Sequence, residues 1–231
     1  MTVPRAHPVP RAAVPGTPSY SRGELLADAA LHAAGIIGAL VAVPVLVTLI
    51  AVWYGSVPEV TAAVIYGIGL IAMFALSACY HLSREPRFRR WFRRLDHAAI
   101  YVKIAATYTP FAVLAAGAEA TLMLTAIWTA AAFGVAAKLT SVRRWELAGL
   151  GLYFAMGWAI LVIGRPVLAG VSPTAFGLMM AGGITYSLGV VFLYLPRLRF
   201  HNAIWHGHVL AASFAFYAAL IVEAARHAPP G

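Results

Sequence analysis

The chain has 231 residues, of which 61% are hydrophobic and only 11% charged, against about 45–50% and about 25% in soluble domains. That excess cannot be hidden in one soluble core, so the composition excludes an ordinary soluble enzyme and requires an integral membrane protein. The formal charge of +9 matters through its placement rather than as a pull on nucleic acid, for which no role is expected, and a single cysteine, Cys79, excludes an internal disulfide or a multi-cysteine metal cluster.

Residues 1–20 carry Pro4, Pro8, Pro10, Pro15 and Pro18 and no hydrophobic period, so they are expected to form a disordered cytoplasmic tail. They do not read as a signal peptide, because the first long apolar run begins near Leu31, is too long for one and lacks a cleavage site. Ser21 and Glu24 have capping-box spacing. They open a helix on which Glu24, Asp28 and His32, four residues apart, share one face.

Seven apolar runs follow, each close to the roughly 20 residues that cross a bilayer, at about 31–54, 59–81, 97–116, 119–138, 147–164, 173–195 and 203–225. Turn or charge signals separate them: Gly-Ser-Val-Pro at 55–58, an arginine-rich stretch, Gly-Ala-Glu at 117–119, Ser-Val-Arg-Arg at 141–144, Gly-Arg-Pro at 164–166 and Pro-Arg at 196–197. The fold class is therefore all-α, a polytopic bundle of seven transmembrane helices over 21–226, with a short tail at 227–231. Cys79 lies inside the second run and reads as a packing residue.

Basic residues set the orientation. With the N-terminus inside, the tail holds Arg5, Arg11 and Arg22. The loop between the second and third runs holds Arg84, Arg87, Arg89, Arg90, Arg93 and Arg94. Lys138, Arg143, Arg144, Arg197 and Arg199 also fall on the inner side, and only Arg165 and Arg226 fall outside. The positive-inside rule then puts the N-terminus in the cytoplasm and the C-terminus outside, as expected of a multi-pass protein of the cell membrane.

In this topology His81 ends the second span on the cytoplasmic side. Asp96 and His97 open the third there, and His201, His206 and His208 open the seventh. Imidazole and carboxylate at one depth are the usual ligands of zinc, which in catalytic sites keeps three protein ligands and a water. Taken singly, each has a plainer reading: Asp96 is a good N-cap, and a histidine at a span end tolerates the interface. Ser77 shares a face with His81 and can orient it or a bound water. Asp96, Lys103 and Thr107 fall on one stripe. Charge within a span costs roughly 2.5–3.5 kcal/mol, so that stripe should face the interior. Lys103 then lies about 10 Å deeper than Asp96, placed either to meet an anionic or carbonyl group or only to line a water pocket. His206 and His208 cannot both point inward. His206 is the expected ligand, with His208 beside the site or at the interface. Asn202 shares the face of His206.

Several ordered motifs resemble the haemolysin III branch of the progestin and adipoQ receptor (PAQR) family. They are S-x-x-x-H at 77–81, L-D-H-A-A-I-Y at 95–101, T-Y-T-P-F at 107–111, Y-F-A-M-G-W at 153–158, G-G-I-T-Y-S-L-G at 182–189 and N-A-I-W-H at 202–206. Glu24, Asp28 and His32 match its N-terminal pattern. The resemblance implies seven spans, a cytoplasmic N-terminus and a zinc ion near the cytoplasmic face. It implies His81 and His206 as ligands and Asp96 as the carboxylate that holds a water. The family's other seventh-helix histidine is absent: Asn202 stands in its place and His201 comes one residue earlier. Either His201 reaches in from an unwound helix start, or Asp96 ligates directly, or metal is held weakly or not at all.

Three functions fit these observations. The first is a zinc-dependent hydrolase of lipid amides or esters, with His81, His206 and His201 on the metal, Asp96 on the water, Ser77 or Lys103 at the oxyanion, and His97, Asn202 and His208 around them. The second is a pore-forming cytolysin, which the haemolysin name implies. The third is a lipid-binding receptor or sensor without turnover. A transporter fits less well, since no inverted repeat or broken helix pair is visible.

Overall fold

The computed structural model describes residues 20–83, 85–226 and 228. Apart from Tyr20 and Ala228, the expected tails at 1–20 and 227–231 lie outside the described residues, as does Arg84.

Helix α1 (Arg22–Tyr54) starts at the expected capping box: Ser21 Oγ accepts the Glu24 N–H, and Glu24 Oε2 accepts the Ser21 N–H at 2.8 Å. It ends where Gly55 turns left-handed, at φ 63°. Its 33 residues span about 50 Å, well beyond the roughly 30 Å hydrocarbon core. Helix α2 (Val57–Leu82) follows, with proline in its first turn.

Residues 83–85 alone separate α2 from α3 (Pro86–Ala115). The third helix thus starts well before the expected 97, and Arg87, Arg89, Arg90, Arg93 and Arg94 ride on its first turns instead of forming a loop. Pro86 supplies a pre-set φ at the first helical position, and arginine is itself a good helix former. Asp96 consequently lies about three turns inside α3 and is not its N-cap, a role taken by Glu85. The helix continues through Pro110. Only Ala116, at φ 53°, then separates it from α4 (Gly117–Thr140), whose first residue, Gly117, is at φ 89°.

The fifth apolar run, expected as one span over 147–164, is broken. Helix α5 (Glu146–Trp158) has 13 residues and passes into a 3₁₀ turn at Ala159–Leu161 and a short α6 (Arg165–Gly170). The break has a cause in α3. The Tyr108 hydroxyl donates to the Met156 carbonyl at 2.7 Å and accepts the Ile160 N–H at 3.0 Å, taking two backbone groups that the helix would otherwise need. Helix α7 (Pro173–Leu193) is capped by Ser172, and α8 (His201–Ala225) closes the fold. The protein is all-α, with no strand among the described residues. Six of its helices (α1–α4, α7 and α8) are long and apolar enough to cross a membrane.

Helix α2 packs between α1 and α3, and α8 packs against both α7 and α1, so the first and last long helices meet. The α2–α3 approach depends on Gly69, where an added Cβ would lie 2.7 Å from Ala106 Cβ and 3.7 Å from Lys103 Cα. Buried Leu46, Tyr66, Tyr101, Met156 and Leu220 fill the interior. Large apolar side chains such as Ile37, Val41, Ile68, Leu122 and Phe133 are exposed at 63–71%, the arrangement of a surface solvated by lipid rather than water. Cys79 is also exposed and is not the packing residue its apolar surroundings suggested.

Candidate metal centre

Four side chains from three helices meet at one end of the bundle. Asp28 and His32 come from α1, His81 from the last turn of α2 and His206 from the second turn of α8. One ligand atom from each can be chosen so that all four lie within 4.8 Å of one another. The carboxylate is at the centre. Asp28 Oδ1 is 2.6 Å from His206 Nδ1, and its Oδ2 is 3.3 Å from His81 Nδ1 and 3.6 Å from His32 Nε2. The rings crowd together, with centroids 4.5 Å apart for His81 and His206, 4.4 Å for His32 and His206, and 5.2 Å for His32 and His81.

The spacing follows from helical geometry. Residues four apart on α1 present Asp28 and His32 to the same neighbour, and α8 reaches that neighbour because it packs on α1. Glu24, one turn earlier, accepts the Phe200 N–H on Oε1 at 3.1 Å, which fixes the residue preceding α8.

The group suits a divalent metal. Three imidazoles and one carboxylate are a zinc-type donor set. Ligands at about 2.0–2.1 Å from a tetrahedral ion stand roughly 3.3 Å apart, so a modest contraction of the observed spacing suffices. His32 Nε2 is buried and has no hydrogen-bond partner, at 3.6 Å from Asp28 too far for one. A buried imidazole nitrogen lacking a partner is what a metal would satisfy.

The cluster opens into a cavity of about 620 Å³ that extends from Tyr20, Arg89 and Asn202 at one end to Phe111, Ile160 and Met179 at the other. Asp96 and Ser77 line the same cavity. Asp96 is not one of the four clustered groups. His97 also lines the cavity, and its carbonyl accepts the Tyr153 hydroxyl at 2.8 Å. Lys103 lines the wall deeper in, its Nζ donating to Thr107 Oγ1 at 2.7 Å. That contact holds the amine beside Thr107, one turn further along α3.

The α8 residues divide. His206 joins the cluster, and Asn202, one turn earlier, lines the same cavity. His201 does not join: its Nε2 pairs with the Tyr20 hydroxyl at 3.2 Å. α8 starts at His201 without unwinding, and a one-residue offset on a regular helix turns a side chain by about 100°. His208 faces α7, where its ring lies 5.0 Å from Phe192 and its Nδ1 donates to the Ile204 carbonyl.

Asp28 and His32 are the residues that the sequence reading left out of the ligand set. Their shared face on the first helix was visible. Only tertiary packing, α1 against α2 and α8, reveals what that face meets.

A multi-span, all-helical membrane protein with an Asp/His group of metal-binding composition at the mouth of an internal cavity is thereby defined. Comparison with known proteins gives the family: the profile described as "Haemolysin-III related" matches residues 26–217, and the chain belongs to that family. It is 37% identical to "Hemolysin-3" of Bacillus cereus over 193 residues, 82% of this chain and 87% of the relative. It is 35% identical to "Hemolysin-3 homolog" of Bacillus subtilis (strain 168) over 199 residues, 84% and 91% of the two chains. It is also 32% identical to the human "Monocyte to macrophage differentiation factor" over 171 residues, 70% of each. The family resemblance stated from the motifs therefore holds.

Proposed function

We propose that the protein is a metal-dependent hydrolase of lipid amides or esters in the cell membrane, with three of the four grouped residues Asp28, His32, His81 and His206 holding zinc or a similar divalent ion and one position left to water. The observation that carries this reading is the four-group cluster at the mouth of a lipid-sized cavity. A bound divalent ion there supplies Lewis-acid polarisation of a carbonyl and lowers the pKa of a coordinated water toward about 7. Asp96, steadied by Ser77, takes the proton of the attacking water and returns it to the departing amine or alcohol. The apolar length of the cavity holds the acyl chain, and Asn202 and His97 present polar groups at its mouth.

The same reading includes seven crossings with a cytoplasmic N-terminus. The 13 residues of α5 span about 20 Å, and the three-residue turn adds about 6 Å. Together they come close to the roughly 30 Å needed, so α5 and its turn complete the fifth crossing. The decisive measurement is metal content together with turnover. Purified protein is expected to carry about one zinc per chain and to release fatty acid from an N-acyl or O-acyl lipid. Protein without stoichiometric metal would end the hydrolase reading.

The name of the Bacillus cereus relative, "Hemolysin-3", favours a second reading, membrane permeabilisation. Dye leakage from liposomes that survives combined loss of His81, Asp96 and His206 supports it over hydrolysis.

A further inference from the structure

Resting on the reading that the cavity receives a lipid, we infer that Lys103 and Thr107 form a second polar subsite in its wall, built for an acyl chain that carries an oxygen partway along its length.

Lys103 is only 3% exposed, yet it lines the cavity in the middle of a helix long and apolar enough to span the membrane. A lysine amine carries two N–H donors when neutral and three when charged. One is used on Thr107 Oγ1, and that hydroxyl spends its own proton on the Lys103 carbonyl at 2.8 Å. The rest of the amine's surroundings are ring faces, Tyr66 at 5.2 Å and Phe216 at 5.9 Å. Their faces offer cation–π attraction, and the Tyr66 hydroxyl, the one oxygen the two side chains carry, makes no hydrogen bond to the amine. Among the described residues no carboxylate forms an ion pair with it. Gly69 brings α2 against the Lys103 backbone, which fixes where the side chain begins.

Donors left unmet in a buried site are costly, and intramembrane ionisable groups commonly mark a ligand path. A saturated chain lying along Met179, Phe111 and Ile160 would cover the amine and satisfy none of its remaining donors. A chain with a hydroxyl or keto oxygen would satisfy one. Seven residues of α3 separate Lys103 from Asp96, about 10 Å along the helix. The oxygen recognised is therefore at mid-chain, remote from the carbonyl handled at the metal cluster. The substrate class becomes a mid-chain-oxygenated acyl lipid.

The test is displacement of a fluorescent fatty acid from purified protein in detergent, with stearate and mid-chain hydroxystearate as competitors. It reads binding and needs neither metal nor turnover. The hydroxylated acid is expected to bind about three- to tenfold tighter, the effect of one added hydrogen bond. Lys103→Met, which keeps the length and removes the donors, is expected to equalise the two while stearate still binds. Equal affinities in the wild type overturn the subsite and leave the lipid-cavity reading standing. Failure of both acids to bind overturns both readings. A preference that survives Lys103→Met also overturns the subsite. Should Lys103→Met fail to fold, Thr107→Val serves in its place, with the preference expected to fall at least several-fold because the amine loses its tether; an unchanged preference overturns the proposal.

Discussion

His206 Nδ1 lies 2.6 Å from Asp28 Oδ1, a contact that joins the start of α8 to the start of α1 across 178 residues of sequence. Because the same carboxylate also faces His81 and His32, one anion organises three imidazoles from three helices. Removing it leaves those rings without their common partner. Asp28→Ala is expected to lower metal affinity by about tenfold or more and to destabilise the protein by about 1–3 kcal/mol, the cost of leaving a buried imidazole without its hydrogen-bond partner. Elemental analysis and thermal unfolding in detergent check the two parts separately. Full metal content in Asp28→Ala would remove this residue from the ligand set.

Two of the α8 histidines should behave oppositely. His206→Ala removes a clustered ring and is expected to lose most of the bound metal. His201→Ala removes a ring that pairs with Tyr20 outside the cluster, and is expected to keep wild-type metal content. Equal losses in both variants would mean that α8 starts differently in the metal-bound protein.

This contrast also marks where sequence reasoning stopped. The apolar runs, the breaks at Gly55 and Pro196 and the family motifs were legible because hydrophobicity and turn chemistry are local. His81 and His206 could be nominated because His81 closes one apolar run and His206 lies at the opening of another, on the same side. Asp28 and His32 were visible as a shared face, but nothing in a one-dimensional pattern says that α1 packs between α2 and α8 at that depth. The arginine stretch misled for a related reason. Charge density suggested a loop, whereas Pro86 and the helix propensity of arginine extend α3 and move Asp96 into its interior. The break in the fifth run depends on Tyr108, some 50 residues earlier in the chain, which no periodicity within the run can report.

That hydroxyl gives a stability prediction. Tyr108→Phe keeps the ring and removes the group that satisfies the Met156 carbonyl and the Ile160 N–H. Two buried backbone groups are then orphaned, and a loss of about 1–3 kcal/mol is expected, read as a lowered unfolding temperature. A variant as stable as the wild type would show that water or a rearranged turn replaces the hydroxyl.

The passage of α5 through the membrane can be decided by parity. Six crossings put both chain ends on one side of the bilayer, and seven put them on opposite sides. With epitope tags at each end in sealed vesicles of known orientation, the N-terminal tag is expected to be protected from the outer face and the C-terminal tag to be accessible. Both tags on the same face would reduce α5, its 3₁₀ turn and α6 to a re-entrant segment and overturn the inside–outside assignment drawn from the arginines.

The junction of α3 and α4 offers a gain of stability instead of a loss. Ala116 is the sole residue between the two helices and adopts φ 53°, ψ 179°, a region that L-residues rarely occupy and that costs of order 1–3 kcal/mol. Glycine meets no such penalty but adds freedom to the unfolded chain, worth about 0.4–1 kcal/mol. The strain is the larger quantity, so Ala116→Gly is expected to stabilise the protein by about 1 kcal/mol and raise its unfolding temperature. Metal content should not change, because α4 contributes nothing to the cluster. A lower unfolding temperature would mean that the alanine methyl is packed well enough at this turn to outweigh its backbone strain.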